Sequence, residues 1–90
     1  DADVISQLTS IDGIEVAVVF VERLDTEVKI SWRSVGGLDV AEIAQRFGGG
    51  GHRAAAGASI YGSTLAQAEQ VVLRRTREAL QDYRHNGSRR

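Results

Sequence analysis

The sequence contains no cysteine, and none of its apolar runs approaches the roughly 20 residues that a bilayer-spanning helix needs. The missing thiols exclude a disulfide framework and a thiolate metal site, so we expect a cytoplasmic location. Because no apolar run is long enough to span a bilayer, we expect no membrane partner. A net charge of −1 and a pI near 6.1 argue against coating nucleic acid by bulk charge. Methionine is also absent and the chain begins at Asp1, so we expect a processed product or a piece of a longer protein.

Residues that commonly perform catalysis are also scarce. A hydrolytic metal centre needs several converging imidazole or carboxylate groups, yet the only histidines are His52 and His85. No serine occupies a G-x-S-x-G elbow, and the glycine run lacks the Lys-Ser/Thr ending of a phosphate-binding P-loop. The sequence therefore predicts no catalytic residue and no metal ligand set in this chain.

The charges present are distributed unevenly. Residues 1–47 carry nine acidic and four basic side chains, whereas residues 48–90 carry three acidic and seven basic ones. The positive half contains the run Gly48–Gly51, although most of its charge falls on the last predicted helix. With 42% hydrophobic and 26% charged residues, the composition is that of one ordinary globular domain.

The first half of the chain predicts one helix and a β-hairpin. Residues 4–11 place apolar side chains at helical spacing, with Asp1 or Asp3 as a cap and Asp12-Gly13 as the end. Residues 14–21 are almost continuously apolar and β-branched, which favours a buried strand. After a turn at residues 24–26, residues 27–34 alternate, with one face formed by Val28, Ile30 and Trp32 and the other by Lys29, Ser31 and Arg33.

The second half predicts two further helices around a short strand. Asp39 to Glu42 forms a capping box that opens a helix ending at Phe47. A glycine loop follows, then a single helical turn at residues 54–56 and a strand at residues 57–61. Thr64 and Gln67 cap a long helix to Arg84, and the polar residues 85–90 are expected to fray.

These elements define an α+β fold in the order α-β-β-α-β-α, with helices on a small mixed or antiparallel sheet of three strands. Such a sheet is thin, so we expect a further strand from a missing segment or from a second copy of the chain. The domain is assigned to residues 1–85, and residues 86–90 are assigned to a flexible tail.

The glycine run is the main candidate site. Gly48, Gly49, Gly50 and Gly51 expose bare main chain, and His52 and Arg53 follow at once, which suits binding of an anion. The same run also fits a connector, with Gly48 ending the preceding helix. Arg33, at a strand end, could reach a phosphate or remain a solvated side chain, and His52 could instead be satisfied by backbone.

Three segments together resemble a known family. They are Gly-Gly-Gly-Gly-His-Arg-Ala-Ala-Ala-Gly at residues 48–57, Ile-Ser-Trp-Arg-Ser at residues 30–34, and Leu-Asp-Val-Ala-Glu-Ile-Ala at residues 38–44. This combination is similar to the DHHA1 domain of DHH-family phosphoesterases, in the branch of oligoribonucleases that also dephosphorylate adenosine bisphosphate. The resemblance covers about the first 80 residues.

The resemblance implies a substrate-binding domain whose catalytic partner is a DHH domain absent from this chain. Manganese is expected in that missing domain, with no cofactor here and a possible homodimer. Gly48–Gly51 and His52 would hold the phosphate of a short oligonucleotide or nucleotide, Arg33 would pair with a phosphate, and Arg53 would stand at a position usually basic. The pattern is shared more loosely with RecJ-type exonucleases and cyclic dinucleotide phosphodiesterases. Two other interpretations remain open. The chain could be a non-catalytic module that contacts tRNA or single-stranded DNA, or a structural domain in which the glycine run is only a connector.

Overall fold

Antiparallel strands form a single sheet with both helices on one side of it. The computed structural model describes residues 4–23 and 26–87, and within them the sheet has five strands in the order β1-β2-β3-β5-β4. The elements are β1 (Val4–Ile11), β2 (Ile14–Arg23), β3 (Glu27–Val35), α1 (Val40–Arg46), β4 (Gly50–His52), β5 (Ala55–Tyr61) and α2 (Leu65–Gly87). The α+β class and the antiparallel arrangement are confirmed, whereas the expected three-stranded sheet is too small.

The helix predicted over residues 4–11 is wrong, because this segment is strand β1. It pairs with β2 along its whole length, and Ile11 lies opposite Ile14 across a two-residue turn. Asp12 and Gly13 form that turn with φ values of 51° and 81°, which is the left-handed geometry of a type I′ hairpin. The candidate caps Asp1 and Asp3 lie outside the described residues. The extra strand expected from elsewhere thus comes from within the chain.

The predicted hairpin of the next two strands is confirmed, with Arg23 opposite Glu27. Of the turn assigned to residues 24–26, residues 24 and 25 lie outside the described residues, and Thr26 lies in a turn. The alternation in β3 is also confirmed, because Val28, Ile30 and Trp32 are fully buried while the side chains between them are exposed. One face of the sheet therefore forms the core beneath the helices.

Trp32 connects the sheet to both helices. Its Nε1 donates to Thr76 Oγ1 at 3.0 Å, and this hydroxyl donates to the carbonyl oxygen of Val72 at 2.7 Å within α2. The indole also stacks on Phe47 at the end of α1, with ring centroids 6.1 Å apart. Because Trp32 lies between two exposed residues of β3, these contacts fix the buried side of that strand.

Both predicted helix starts are confirmed. The side chain of Asp39 accepts a 3.0 Å hydrogen bond from the Ala41 N–H. Thr64 and Gln67 exchange two hydrogen bonds of 3.0 Å between side chain and backbone, which completes the second capping box. The long helix continues past its predicted end to Gly87. Residues 85–87, which were expected to fray, belong to this helix. Residues 88–90 lie outside the described residues, so a flexible tail there stays a prediction. Neither helix combines the length and apolar character required to cross a bilayer within the described chain.

The helical turn predicted at residues 54–56 is wrong, because strand β5 begins at Ala55. Arg53 and Ala54 form a turn that joins β4 to β5. The carbonyl oxygen of Arg53 accepts from the Val40 N–H at 2.9 Å, and that of Ala54 accepts from the Ser34 N–H at 3.0 Å. This turn is therefore bound to the start of α1 and to the end of β3.

Candidate functional site

A groove lies over β3, β5 and β4, where the glycine run meets the sheet. Its volume is about 670 Å³. It is lined by Lys29, Ile30, Ser31, Arg33, Gly48, Gly49, Gly50, Gly51, Ala55, Ala56, Gly57, Ala58, Ser59 and Tyr61. The exposed side chains of β3 belong to the sheet face opposite the helices, so a ligand here would not disturb the packed core.

Strand register brings two predicted site residues onto this open face. Arg33 lies opposite Ala55 on β5, and Ala55 lies opposite His52 on β4. Residues directly opposite one another in antiparallel strands share a face, and two strand spacings separate Arg33 from His52 by about 10 Å. Both side chains are exposed. A guanidinium and an imidazole therefore stand on either side of a single methyl group.

The neighbouring rows of the sheet extend this surface. Ser31 lies opposite Gly57, which lies opposite Gly50, so the middle of the groove has two adjacent positions without side chains. The next row pairs Lys29 with Ser59. Lys29 and Arg33 are four residues apart on β3, a distance of about 13 Å along a strand. Two positive side chains thus flank a flat floor of main chain.

The four consecutive glycines have different structural roles. Gly48 follows α1 with φ 83°, and its N–H donates to the carbonyl oxygen of Gln45 at 3.0 Å. The Gly49 N–H donates to the carbonyl oxygen of Ala44 at 2.9 Å, which completes a Schellman motif. The N–H groups of both residues are therefore engaged with the helix, so their contribution to the groove is open space.

Close packing against β5 explains the glycines at positions 49 and 51 but not the one at position 50. A Cβ atom at Gly49 would lie 2.1 Å from the carbonyl oxygen of Gly57, and one at Gly51 would lie 2.6 Å from the Ala56 Cα. A Cβ atom at Gly50 would meet nothing within 4 Å. The fold therefore needs glycine at positions 49 and 51, whereas at position 50 its effect is to keep the groove open.

Arg53 is separated from the other predicted site residues. It lines a second groove of about 320 Å³ between α1 and α2, on the helical side of the domain. That groove has a mixed charge, with Arg46, Arg53 and Arg75 beside Asp39, Glu42, Glu78 and Asp82. The structure thus brings His52 and Arg33 onto one face and directs Arg53 to another.

The charge of the first groove favours anions. Lys29 and Arg33 are among its lining residues, and none of the described lining residues is acidic. Glu27, on the same face of β3, lies next to the Lys29 end of the groove, where its carboxylate accepts a 2.7 Å hydrogen bond from the lining residue Ser59 and lies 3.6 Å from the Arg23 guanidinium. A phosphorylated ligand would meet two positive side chains here. His52 is not among the lining residues and lies at the side of the groove, across Ala55 from Arg33.

Several lining residues are not among the predicted site residues, namely Lys29, Ser31, Gly57, Ser59 and Tyr61. The alternation of β3 already placed Lys29 and Ser31 beside Arg33 on the polar face. Reading residues 55–56 as helix concealed how far β5 extends along β3. Within the described residues, no three histidine, aspartate or glutamate side chains come together as a metal site.

Comparison with known proteins shows the family to which this chain belongs. The model of the DHHA1 domain family matches residues 2–82, and the chain belongs to that family. It is 41% identical over 78 residues to the bifunctional oligoribonuclease and PAP phosphatase NrnA of Thermus thermophilus, covering 87% of this chain and 24% of the relative. It is 39% identical over 80 residues to the cyclic-di-AMP phosphodiesterase GdpP of Geobacillus thermodenitrificans, covering 89% of this chain and 12% of the relative. The bifunctional oligoribonuclease and PAP phosphatase NrnA of Bacillus subtilis is 38% identical over 60 residues, which cover 67% of this chain and 18% of the relative. The chain therefore spans about a quarter or less of these relatives.

Proposed function

We propose that this chain is the substrate-binding domain of a manganese-dependent DHH phosphoesterase that hydrolyses short oligoribonucleotides or nucleoside bisphosphates. The observation that carries the proposal is the open-face groove, which Lys29 and Arg33 line and in which none of the described lining residues is acidic. His52 is not a lining residue, but strand register places it beside the groove, across Ala55 from Arg33. The names of the NrnA relatives support this class of substrate. The activity belongs to the whole protein, of which this domain would form one wall.

Each polar group has a defined task in this proposal. The planar fork of Arg33 donates two parallel hydrogen bonds to a phosphate, and His52 donates one from the other side of the row. Bonds of this kind contribute about 1.5–3 kcal/mol each when water is excluded. Gly50 and Gly57 allow the ester to approach the main chain closely because neither carries a side chain.

The other predicted contacts fit the proposal to different degrees. Gly48 and Gly49 shape the end of the groove, while their N–H groups remain bonded to α1. A phosphate contact by Arg53 stays a prediction, since its side chain lines the second groove. Such a contact would require an oligonucleotide long enough to pass His52 and cross the turn at residues 53–54.

The catalytic centre is proposed to lie in the DHH partner domain in the cytoplasm. Manganese bound there would activate the attacking water, and the described residues of this chain offer no cluster that could hold it. This chain would bind and orient the phosphate so that the ester faces the partner domain. No side chain of this domain is assigned to a proton transfer.

A cyclic dinucleotide is the second candidate substrate. The 39% identity to GdpP favours it, since that relative is named as a cyclic-di-AMP phosphodiesterase. Lys29 and Arg33 could each contact one of the two phosphates of such a ligand. Binding to tRNA or single-stranded DNA without catalysis is a third possibility, to be separated by affinity.

Calorimetric titration tests the proposal directly. The probes are a 5′-phosphorylated diadenylate, adenosine 3′,5′-bisphosphate, cyclic di-AMP and a tRNA. We expect Arg33→Ala and His52→Ala each to weaken binding of the preferred small ligand about tenfold, which corresponds to about 1.4 kcal/mol. Arg77→Ala is the matched control, because Arg77 is exposed on α2 and lines neither groove. Equal affinities in wild type and both groove variants would refute the proposal, and tighter binding of tRNA would favour the non-catalytic module.

A further inference from the structure

Strand β1 is an edge strand without the usual protection against pairing with another chain. It lies at the end of the sheet, with β2 as its one strand partner among the described residues. Its eight residues, Val-Ile-Ser-Gln-Leu-Thr-Ser-Ile, include no charged residue and no proline. Natural edges are commonly shortened, charged or interrupted by proline, because an exposed edge binds further strands. The opposite edge, β4, has only three residues.

The outward-pointing backbone groups of β1 follow from its register. Ile11 and Ile14 flank a two-residue turn, so that pair exchanges both of its hydrogen bonds. Hydrogen-bonded pairs then alternate along the strand, and the N–H and C=O groups of Val4, Ser6 and Leu8 point away from β2. These same residues place their side chains on the open face of the sheet.

Two of these side chains are large, apolar and exposed. Val4 is 59% exposed and Leu8 is 70% exposed, and they lie two residues before and two residues after Ser6. This arrangement is symmetric about Ser6, as a two-fold contact between identical strands requires. An uncharged strand also meets its own copy without electrostatic repulsion.

We propose that β1 pairs antiparallel with β1 of a second copy of this chain, with Ser6 opposite Ser6 of that copy. In this register the outward backbone groups of residues 4, 6 and 8 face one another. Val4 then lies opposite Leu8 of the second copy, and Leu8 opposite its Val4, so that both exposed apolar side chains gain a cross-strand neighbour. The proposal is independent of the groove and of any ligand.

The pairing has a geometric consequence for the groove. Two antiparallel copies of one strand are related by a two-fold axis perpendicular to the sheet, so both open faces lie on the same side. The sheet would then continue through ten strands, with both grooves on one face. Five strand spacings would separate β3 from β3 of the second copy, a distance of about 24 Å.

Sedimentation of the 90-residue chain tests the pairing. We expect a monomer–dimer equilibrium that shifts toward dimer as protein concentration rises. Ser6→Pro removes an outward N–H without removing a hydrogen bond to β2, and Leu8→Lys adds a charge to the contact, so both should give monomers at every concentration. Val35→Lys is the matched control, since Val35 is 67% exposed on the same face but outside β1. Circular dichroism identifies any variant that fails to fold, and Leu8→Lys then decides the result if Ser6→Pro is unfolded.

A cysteine crosslink tests the register, because the chain has no cysteine of its own. A short bifunctional thiol reagent should link Ser6→Cys chains into dimers. It should not link Ser10→Cys chains, since residues 10 of the two copies would be about 27 Å apart. A wild-type chain that stays monomeric up to millimolar concentration would overturn the proposal. A dimer unaffected by Leu8→Lys, or one crosslinked through residue 10 rather than residue 6, would overturn it as well.

Discussion

The indole Nε1 of Trp32 donates a 3.0 Å hydrogen bond to the hydroxyl of Thr76, and both residues are completely buried. Trp32 belongs to β3 between Ser31 and Arg33, so the side chain beneath the groove is fixed by α2. The bond joins residues 44 positions apart in the sequence. The position of Arg33 on the open face thus depends on packing on the opposite face.

Removing this bond should lower stability. In Thr76→Val the shape is kept, but the buried indole N–H loses its partner, and we expect the free energy of unfolding to fall by about 1–3 kcal/mol. Thr76→Ser keeps the hydroxyl and is the matched control. Urea unfolding followed by circular dichroism measures both. A larger loss in Thr76→Ser than in Thr76→Val would show that the methyl group, rather than the hydrogen bond, stabilises the fold.

Two neighbouring glycines should respond differently to the same change. Gly49→Ala places a Cβ atom 2.1 Å from the carbonyl oxygen of Gly57, and we expect a loss of at least about 1–3 kcal/mol in the free energy of unfolding. Gly50→Ala meets no atom within 4 Å, so its stability should stay within about 1 kcal/mol of wild type. Gly50→Ala should nevertheless weaken nucleotide binding, because its methyl group enters the groove. Thermal unfolding and calorimetric titration separate the two effects, and unchanged binding in Gly50→Ala would contradict the proposed close approach.

Lys29 should matter most for ligands with two phosphate groups. It lies about 13 Å along β3 from Arg33, so one phosphate cannot occupy both ends of the groove. We expect Lys29→Ala to weaken binding of adenosine 3′,5′-bisphosphate severalfold while leaving adenosine monophosphate nearly unchanged. Arg33→Ala should weaken both ligands. An equal loss for both ligands in Lys29→Ala would show that Lys29 acts only through the general positive charge of the groove.

Arg53 tests whether the two grooves are separate. Its side chain lines the groove between α1 and α2, so we expect Arg53→Ala to reduce the affinity for a dinucleotide much less than Arg33→Ala does. Titrations with dinucleotides and longer oligonucleotides measure the comparison. If Arg53→Ala and Arg33→Ala cause equal losses with the dinucleotide, the arginine must reach the open face when ligand is bound.

The turn that makes residues 4–11 a strand can be tested at Asp12, which has φ 51°. Asparagine tolerates left-handed backbone geometry, whereas alanine does not. Asp12→Ala should therefore lower the free energy of unfolding by about 1–2 kcal/mol more than Asp12→Asn. Both changes remove the carboxylate that contacts Arg84. The difference in stability between the two variants therefore measures the cost of the left-handed backbone conformation. Equal stability of the two variants, measured by urea unfolding, would contradict the type I′ turn.

The sequence was sufficient to predict the elements that show a clear hydrophobic period or a capping box. The alternation over residues 27–34 placed Trp32 in the core and Arg33 on the open face, and both capping boxes predicted their helix starts. The helix prediction for residues 4–11 is wrong because the spacing of Val4, Ile5, Leu8 and Ile11 matches a helix by coincidence. The Asp12-Gly13 pair fits a helix end, but it is also a strong signal for a two-residue hairpin.

The roles of the glycines and alanines could not be derived from local pattern. Alanine has high helix propensity, so Ala54–Ala56 alone predicts a helical turn. Pairing with β3 and β4 instead makes Ala55 and Ala56 part of a strand. Gly49 and Gly50 are indistinguishable in the sequence. What separates them is the distance from an added Cβ atom to β5, which depends on the tertiary structure.

Because a Cβ atom at Gly50 would meet no neighbouring atom within 4 Å, alanine can be introduced there without altering the packing that holds the sheet together. The depth of the groove can therefore change by single substitutions while the domain keeps its stability. Position 50 thus offers a simple way, in natural variants or by protein engineering, to adjust which ligands are admitted according to their size.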